Sequence, residues 1–195
     1  MSILMTSDVE GFFADAVGEA VQARKVQVSK KTLSYLVGLL AGVASKGMDQ
    51  QALRRPVTWQ LREALEAPAS ERFERLKVLG DNTLYLSGLF QDHLEAHGVD
   101  VGYVSSVGAT AYRSAGAMLR QPDQGDDLFD ELAGKFRLLV EALHEVADAL
   151  FAGSATGPEG VIKLYDRWQK TGSERLSREL IARGLMPMRG GGGCH

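Results

Sequence analysis

Residues Asp127 to Phe151, DLFDELAGKFRLLVEALHEVADALF, carry apolar side chains at Leu128, Leu132, Phe136, Val140, Leu143, Ala147 and Leu150. Steps of three and four residues put all of these on one side of an α-helix, and the strict alternation of a half-buried strand is absent. The stretch is expected to form a long central helix with one buried face. The same spacing recurs outward in both directions, from about Ser7 to Arg183, with only short breaks. The fold class this implies is all-α: a compact multi-helix bundle of about seven to nine helices, mostly antiparallel neighbours joined by short loops.

Upstream, Ser7 and Glu10 make a capping-box pattern at the head of an apolar stripe of Val9, Phe12, Phe13, Ala16, Val17, Ala20 and Val21. Ser29 opens a second helix that runs to Ser45, before Gly47. Within it Gly38 and Gly42 stand four apart, where another helix backbone can approach closely, inside one chain or across a homo-oligomer. Pro56 suits the first turn of a helix through Glu66, and Ser70 is expected to cap one through Leu79. Gly80-Asp81-Asn82 reads as a helix stop followed by a start, with Asp81 capping a helix whose apolar stripe includes Leu86, Leu89, Phe90, His93, Leu94 and His97. Gly98 ends it.

Asp100 starts the next helix, Val101 to Leu119, whose Ser105, Gly108, Ala109, Tyr112 and Gly116 form a small-residue face with one large ring. Gln121 to Gly125 is a turn. Beyond the central stretch, Gly153 to Gly157 is a linker, and a helix with Val161, Tyr165 and Trp168 follows Pro158 and ends near Gly172. Ser173 caps the last helix, with Leu176, Leu180 and Ile181 facing inward before Gly184 and Pro187. The expected organisation is one helical domain over residues 1–186 and a flexible Gly-rich tail over residues 187–195 that ends Cys194-His195.

Composition narrows the function classes. Hydrophobic residues at 45% and charged residues at 24% suffice for a folded core that needs no disulfide or structural metal. The formal net charge of -3 gives no overall attraction to nucleic acid or anionic membranes. Arg54, Arg55, Trp59 and Arg62 are the nearest approach to a basic-aromatic cluster, too few to make nucleic acid an expected partner. The longest apolar stretch, Leu33 to Ala44, is well short of the roughly 20 residues that span a bilayer. A single cysteine, and a start in which Asp8 and Glu10 closely follow Met1 to Met5, make a cytoplasmic location the expectation. Charge is uneven: Asp123 to Asp148 is acidic, whereas Lys163 to Arg189 is net basic. The two parts can attract each other, or Lys163, Arg167, Lys170, Arg175 and Arg178 can meet an acidic partner.

Two places carry residues with ligand chemistry. His93 and His97 are four apart and Glu141 and His144 three apart, spacings that turn each pair to one side of its helix. Together they resemble half of the carboxylate and Glu-x-x-His arrangement of di-metal bundles, with zinc, iron or copper as the metals. The second Glu-x-x-His is missing, and His93-Leu94-Glu95-Ala96-His97 is not the order of a zinc protease. The bland alternative packs these imidazoles at the margin of the core. In the tail, Gly190 to Gly193 tether Cys194 and His195, a thiol and an imidazole beside a carboxylate that suit metal binding or enzymatic modification. No Gly-x-Ser-x-Gly elbow occurs, and Gly102 and Gly108 stand at phosphate-loop spacing without the Lys-Ser/Thr that such a loop needs.

Trp59, Tyr85, Tyr103, Tyr112, Tyr165 and Trp168 lie at helical spacing and are expected in the core. Gly80 to Gly88 and Leu164 to Ser173 are more distinctive than helix filler. The leading expectation is a non-catalytic, cytoplasmic interaction or adaptor protein that presents a helical surface or its tail to another protein. One alternative is a metal-binding helical protein; another is a substrate whose tail a partner enzyme modifies.

Overall fold

The computed structural model describes residues 2–47, 55–119 and 128–188, with side chains from residue 9 onward. Among the described residues there are ten helices and no strand. They are α1 (Ser2–Ala23), α2 (Lys30–Lys46), α3 (Val57–Glu66), α4 (Ala69–Leu89), α5 (Gln91–Ala96), α6 (Val101–Leu119), α7 (Leu128–Gly134), α8 (Phe136–Ser154), α9 (Gly157–Thr171) and α10 (Glu174–Ala182). None is long and apolar enough to cross a membrane.

Several ends follow their local chemistry. Ser29 caps α2 by accepting the Thr32 N–H at 3.1 Å, and Ser173 caps α10 by accepting that of Leu176. Gly172 adopts φ 66°, the left-handed conformation a residue with a side chain resists, and its N–H closes α9 onto the Trp168 carbonyl at 2.7 Å. At other ends the expectation fails. α1 begins at Ser2, so Ser7 and Glu10 lie inside a helix that Ile3, Leu4 and Met5 extend forward. The stretch from Asp127 to Phe151 is interrupted between Gly134 and Phe136, although the Lys135 N–H still bonds the Glu131 carbonyl at 2.9 Å.

The largest departure is at Gly80-Asp81-Asn82. There is no helix stop, and α4 runs unbroken from Ala69 to Leu89. Gly80 serves helix packing: a Cβ there would lie 2.5 Å from the Tyr112 ring of α6. Two further glycines act in the same way. A Cβ on Gly108 would lie 2.2 Å from Thr83 Oγ1 and 2.4 Å from the Phe136 ring, and one on Gly88 would lie 2.4 Å from Leu143 Cβ. Glycine on α4 and α6 thus permits the most extensive helix pair of the fold and lets α8 join it at Phe136 and Leu143.

The chain divides into two compact units between His144 and Glu145, inside α8. In the first, Leu36, Leu40, Leu76, Leu84, Tyr112, Leu132, Leu139 and Leu143 are fully buried. Glu131 ties α7 to the start of α2, accepting hydrogen bonds from the Ser29 N–H at 3.0 Å, the Thr32 hydroxyl and Lys135 Nζ. Burial pushes its carboxyl upward, but these donors outweigh burial and bring the pKa down to about 2.

In the second unit, Leu164, Trp168, Leu176 and Leu180 pack with Ala152, Ala155, Phe151 and Tyr165. Arg183 reaches from the end of α10 to the Ala152 carbonyl at 2.8 Å and to that of Ala155, carbonyls at the C-terminal end of α8. Arg167 Nε bonds Asp148 Oδ1 at 2.8 Å, and Asp148 is fully buried. One contact between the acidic and basic segments is thereby made inside the chain.

The glycines separate two classes of substitution. Gly80→Ala is expected to cost about 1–3 kcal/mol in urea unfolding, because it forces the Tyr112 ring aside. Gly38→Ala, where nothing lies within 4 Å of the added methyl, is expected to stabilise by about 0.4–1 kcal/mol. The depressed Glu131 pKa makes its contribution present above the ordinary carboxyl range and lost as pH falls through about 2. A urea series from pH 6 to pH 2 is expected to show stability falling with acid below about 4.5, and less steeply in Glu131→Gln.

Candidate functional site

The Gly80 to Gly88 segment of α4 places polar side chains towards two recesses of the first unit. On one side, Tyr35 from α2 and Tyr112 from α6 donate hydrogen bonds to Asp81 Oδ1 at 2.5 and 2.7 Å. Lys77, one turn back on α4, donates to Asp81 Oδ2 at 2.8 Å and stands 5.6 Å above the Tyr35 ring. Around them Phe129 meets Tyr35, Tyr112 and Phe73 with ring centroids 6.1, 5.9 and 5.4 Å apart, and Phe136 lies 5.9 Å from Tyr112. Taking a carboxylate out of water costs several kcal/mol; three donors, one of them cationic, offset that cost here.

The network holds helices together. Burial first, then the Asp81 charge, raises the ionisation of Tyr35 and Tyr112 above the ordinary phenol range, so both keep their protons. Both carboxylate oxygens already have donors, and neither phenol is poised to be a base. Beside this network lies an open groove of about 470 Å³ lined by Ser34, Tyr35, Gly38, Leu39, Gly42, Val43, Lys77 and Asp81. Gly38 and Gly42 line it, and a Cβ added to either would meet nothing within 4 Å outside its own helix, so the close helix approach expected there is not made within the described residues.

On another flank of α4, residues of α3, α4, α5 and α6 and of the segments before α3 and between α5 and α6 line a recess of about 380 Å³. Its walls are mainly apolar, with Val57, Leu79, Leu86, Leu94, Val99 and Val104. Asn82 reaches the wall from α4, and among the described residues its amide has no hydrogen-bond partner. Arg55 lies at the start of α3 on the same lining and pairs with Glu63, both about half exposed.

The residues expected to bind metal are distributed otherwise. His93 and His97 do come together, with ring centroids 4.2 Å apart, but on the exposed short helix α5 and its end rather than on an apolar stripe. Nδ1 of His97 donates to the His93 carbonyl at 2.7 Å. Glu141 lines a third, open recess of about 780 Å³ with Gln91, Glu95, Ser105 and Arg137, and its carboxylate lies 3.4 Å from Arg137. His144 is half-buried, with a buried Nδ1 that has no partner. Among the described residues no three or more His, Cys, Asp or Glu side chains gather closely enough to hold a metal. Cys194 and His195 lie outside the described residues, as does the Gln121 to Gly125 turn.

Gly102 and Gly108 lie within α6, so they form no loop around a phosphate. Of the aromatics expected in the core, Tyr112 and Trp168 are buried, whereas Trp59 is 68% exposed and Tyr103 43%. The recess-lining polar residue missed in the sequence is Asn82, hidden by the reading of Gly80-Asp81-Asn82 as a break. Its signal is helical phase: Leu79, Asn82 and Leu86 recur at steps of three and four, on one face of an unbroken helix. No protein-family model, curated protein or solved structure matches this chain.

The raised phenols have an alkaline consequence. A group whose folded pKa lies above its unfolded value contributes stability that is complete below the ordinary phenol range near pH 10 and is lost as pH rises beyond it. In an ultraviolet titration, Tyr35 and Tyr112 are expected to ionise only together with the loss of helical circular dichroism, and Tyr35→Phe is expected to remove one of these late protons.

Proposed function

We propose that this is a non-catalytic recognition protein of the cytoplasm that binds another protein through the outward side of the α9–α10 pair. The carrying observation is apolar surface left in water beside unpaired cations. Ile162 on α9 is 62% exposed and Ile181 on α10 is 58% exposed. The Tyr165 hydroxyl donates to the Met188 carbonyl at 3.1 Å, laying the segment after α10 against α9 one turn from Ile162. Met186 and Met188, unbranched and adaptable, are among the most exposed hydrophobic side chains described.

Lys163, Lys170 and Arg178 are exposed and, among the described residues, have no carboxylate partner. Exposed apolar side chains and unpaired cations on the same two helices suit a partner segment with hydrophobic anchors and acidic flanks. Arg167 and Arg183 are engaged inside the unit, and the cations left over are those available for recognition.

A photo-crosslinking residue placed at Ile162 in the native host, with one at Lys31 of α2 as control, tests this reading. The expected result is a single protein adduct at 162 only, whose purified partner binds at least tenfold more weakly to Ile162→Glu and more weakly as salt rises. Equal adducts at both positions, or a partner indifferent to Ile162→Glu, would contradict it.

A further inference from the structure

We infer that the recess between α3, α4 and α6 is a binding site for a small monocarboxylic acid with a hydrocarbon body. The inference is independent of the proposed protein contact, which lies in the other compact unit. At about 30 Å³ for each non-hydrogen atom, water's share of liquid volume, the recess of about 380 Å³ holds roughly a dozen such atoms. This falls within the usual range of small-molecule sites, which are mainly apolar with few polar groups. The walls fit that description, with Leu79, Leu86, Leu94, Val57, Val99 and Val104 among the lining residues.

The polar groups on the lining are those that recognise a carboxylate. The Asn82 amide offers an N–H donor that, among the described residues, no protein acceptor takes up, on a lining that is mainly apolar. Thr83 also lines the recess, but its hydroxyl is spent on the Leu79 and Gly80 carbonyls at 2.8 and 2.9 Å, so Asn82 is the side chain on this stretch of α4 left to meet a ligand. Arg55 supplies a cation on the lining, and its half-exposed pairing with Glu63 is weak enough to be shared with an incoming anion. Next to it, Pro56 precedes α3 at the cap position with no side chain capping the first turn. A mainly hydrocarbon lining that also carries an amide and a guanidinium suits a medium-chain or aryl-substituted carboxylic acid.

Decanoate, with its twelve non-hydrogen atoms, is the probe, titrated into the full-length protein by calorimetry and by ¹⁵N-resolved NMR. Saturable one-to-one binding is expected, with shift changes concentrated at Asn82, Leu86, Val99 and Val104. Leu86→Trp fills the recess and is expected to weaken binding at least tenfold. Val99→Trp, at a rim position that is 36% exposed, does the same with less risk to folding. Asn82→Ala, and decanol in place of decanoate, are each expected to weaken binding about fivefold or more. Leu39→Trp in the other groove is expected to leave affinity unchanged. Non-saturable uptake of decanoate, affinity unmoved by both Leu86→Trp and Val99→Trp, or decanol binding as tightly as decanoate would overturn the assignment.

Discussion

The first unit is organised around one carboxylate. Asp81 sits on α4 with Tyr35 of α2 and Tyr112 of α6 donating to a single oxygen and Lys77 donating to the other. A buried charge is a liability unless its lone pairs are met, so three partners are held in place by the cost of leaving it alone. This fixes the angle at which α2 approaches the α4–α6 pair and the rotation of α4 about its own axis. With Asp81 turned towards α2, helical geometry turns Asn82 by about 100° towards α3. Asp81 and Asn82 thereby line different recesses beside α4.

Glycine makes that arrangement sterically possible. Tyr112 reaches Asp81 only because Gly80 leaves room for the ring, and Gly108 leaves room for Thr83 and Phe136. Mid-helix glycine is unfavourable by roughly 1 kcal/mol against alanine, and close approach of large rings to a backbone is what offsets it. Gly38 and Gly42 have no such neighbour and face open space. Two patterns that look alike in sequence therefore have different roles, according to what stands opposite.

That contrast explains how far the sequence could be read. Helical class, the cap at Ser29, the left-handed end at Gly172 and the cap at Ser173 are local properties, set by residues within four positions of one another, and each is legible in the chain. Asp81 is different. Aspartate after glycine is a common cap, and only partners at Tyr35 and Tyr112, 46 and 31 residues away, make it a core residue. The same limit hid the apolar recess, whose lining comes from four helices, α3 to α6, and the segments before α3 and between α5 and α6. His93 and His97 show the reverse: their spacing correctly brought two rings together, but spacing on one helix carries no information about a third ligand or about burial.

The most direct measurement of the central claim is a double-mutant cycle in urea between Asp81→Asn and Tyr112→Phe, with Tyr35 left intact. If the carboxylate clasp organises the first unit, the two changes are not independent, and a coupling of about 1–3 kcal/mol is predicted. Losses that add to within about 0.5 kcal/mol would contradict the account, because the phenol and the carboxylate would then contribute to the fold separately.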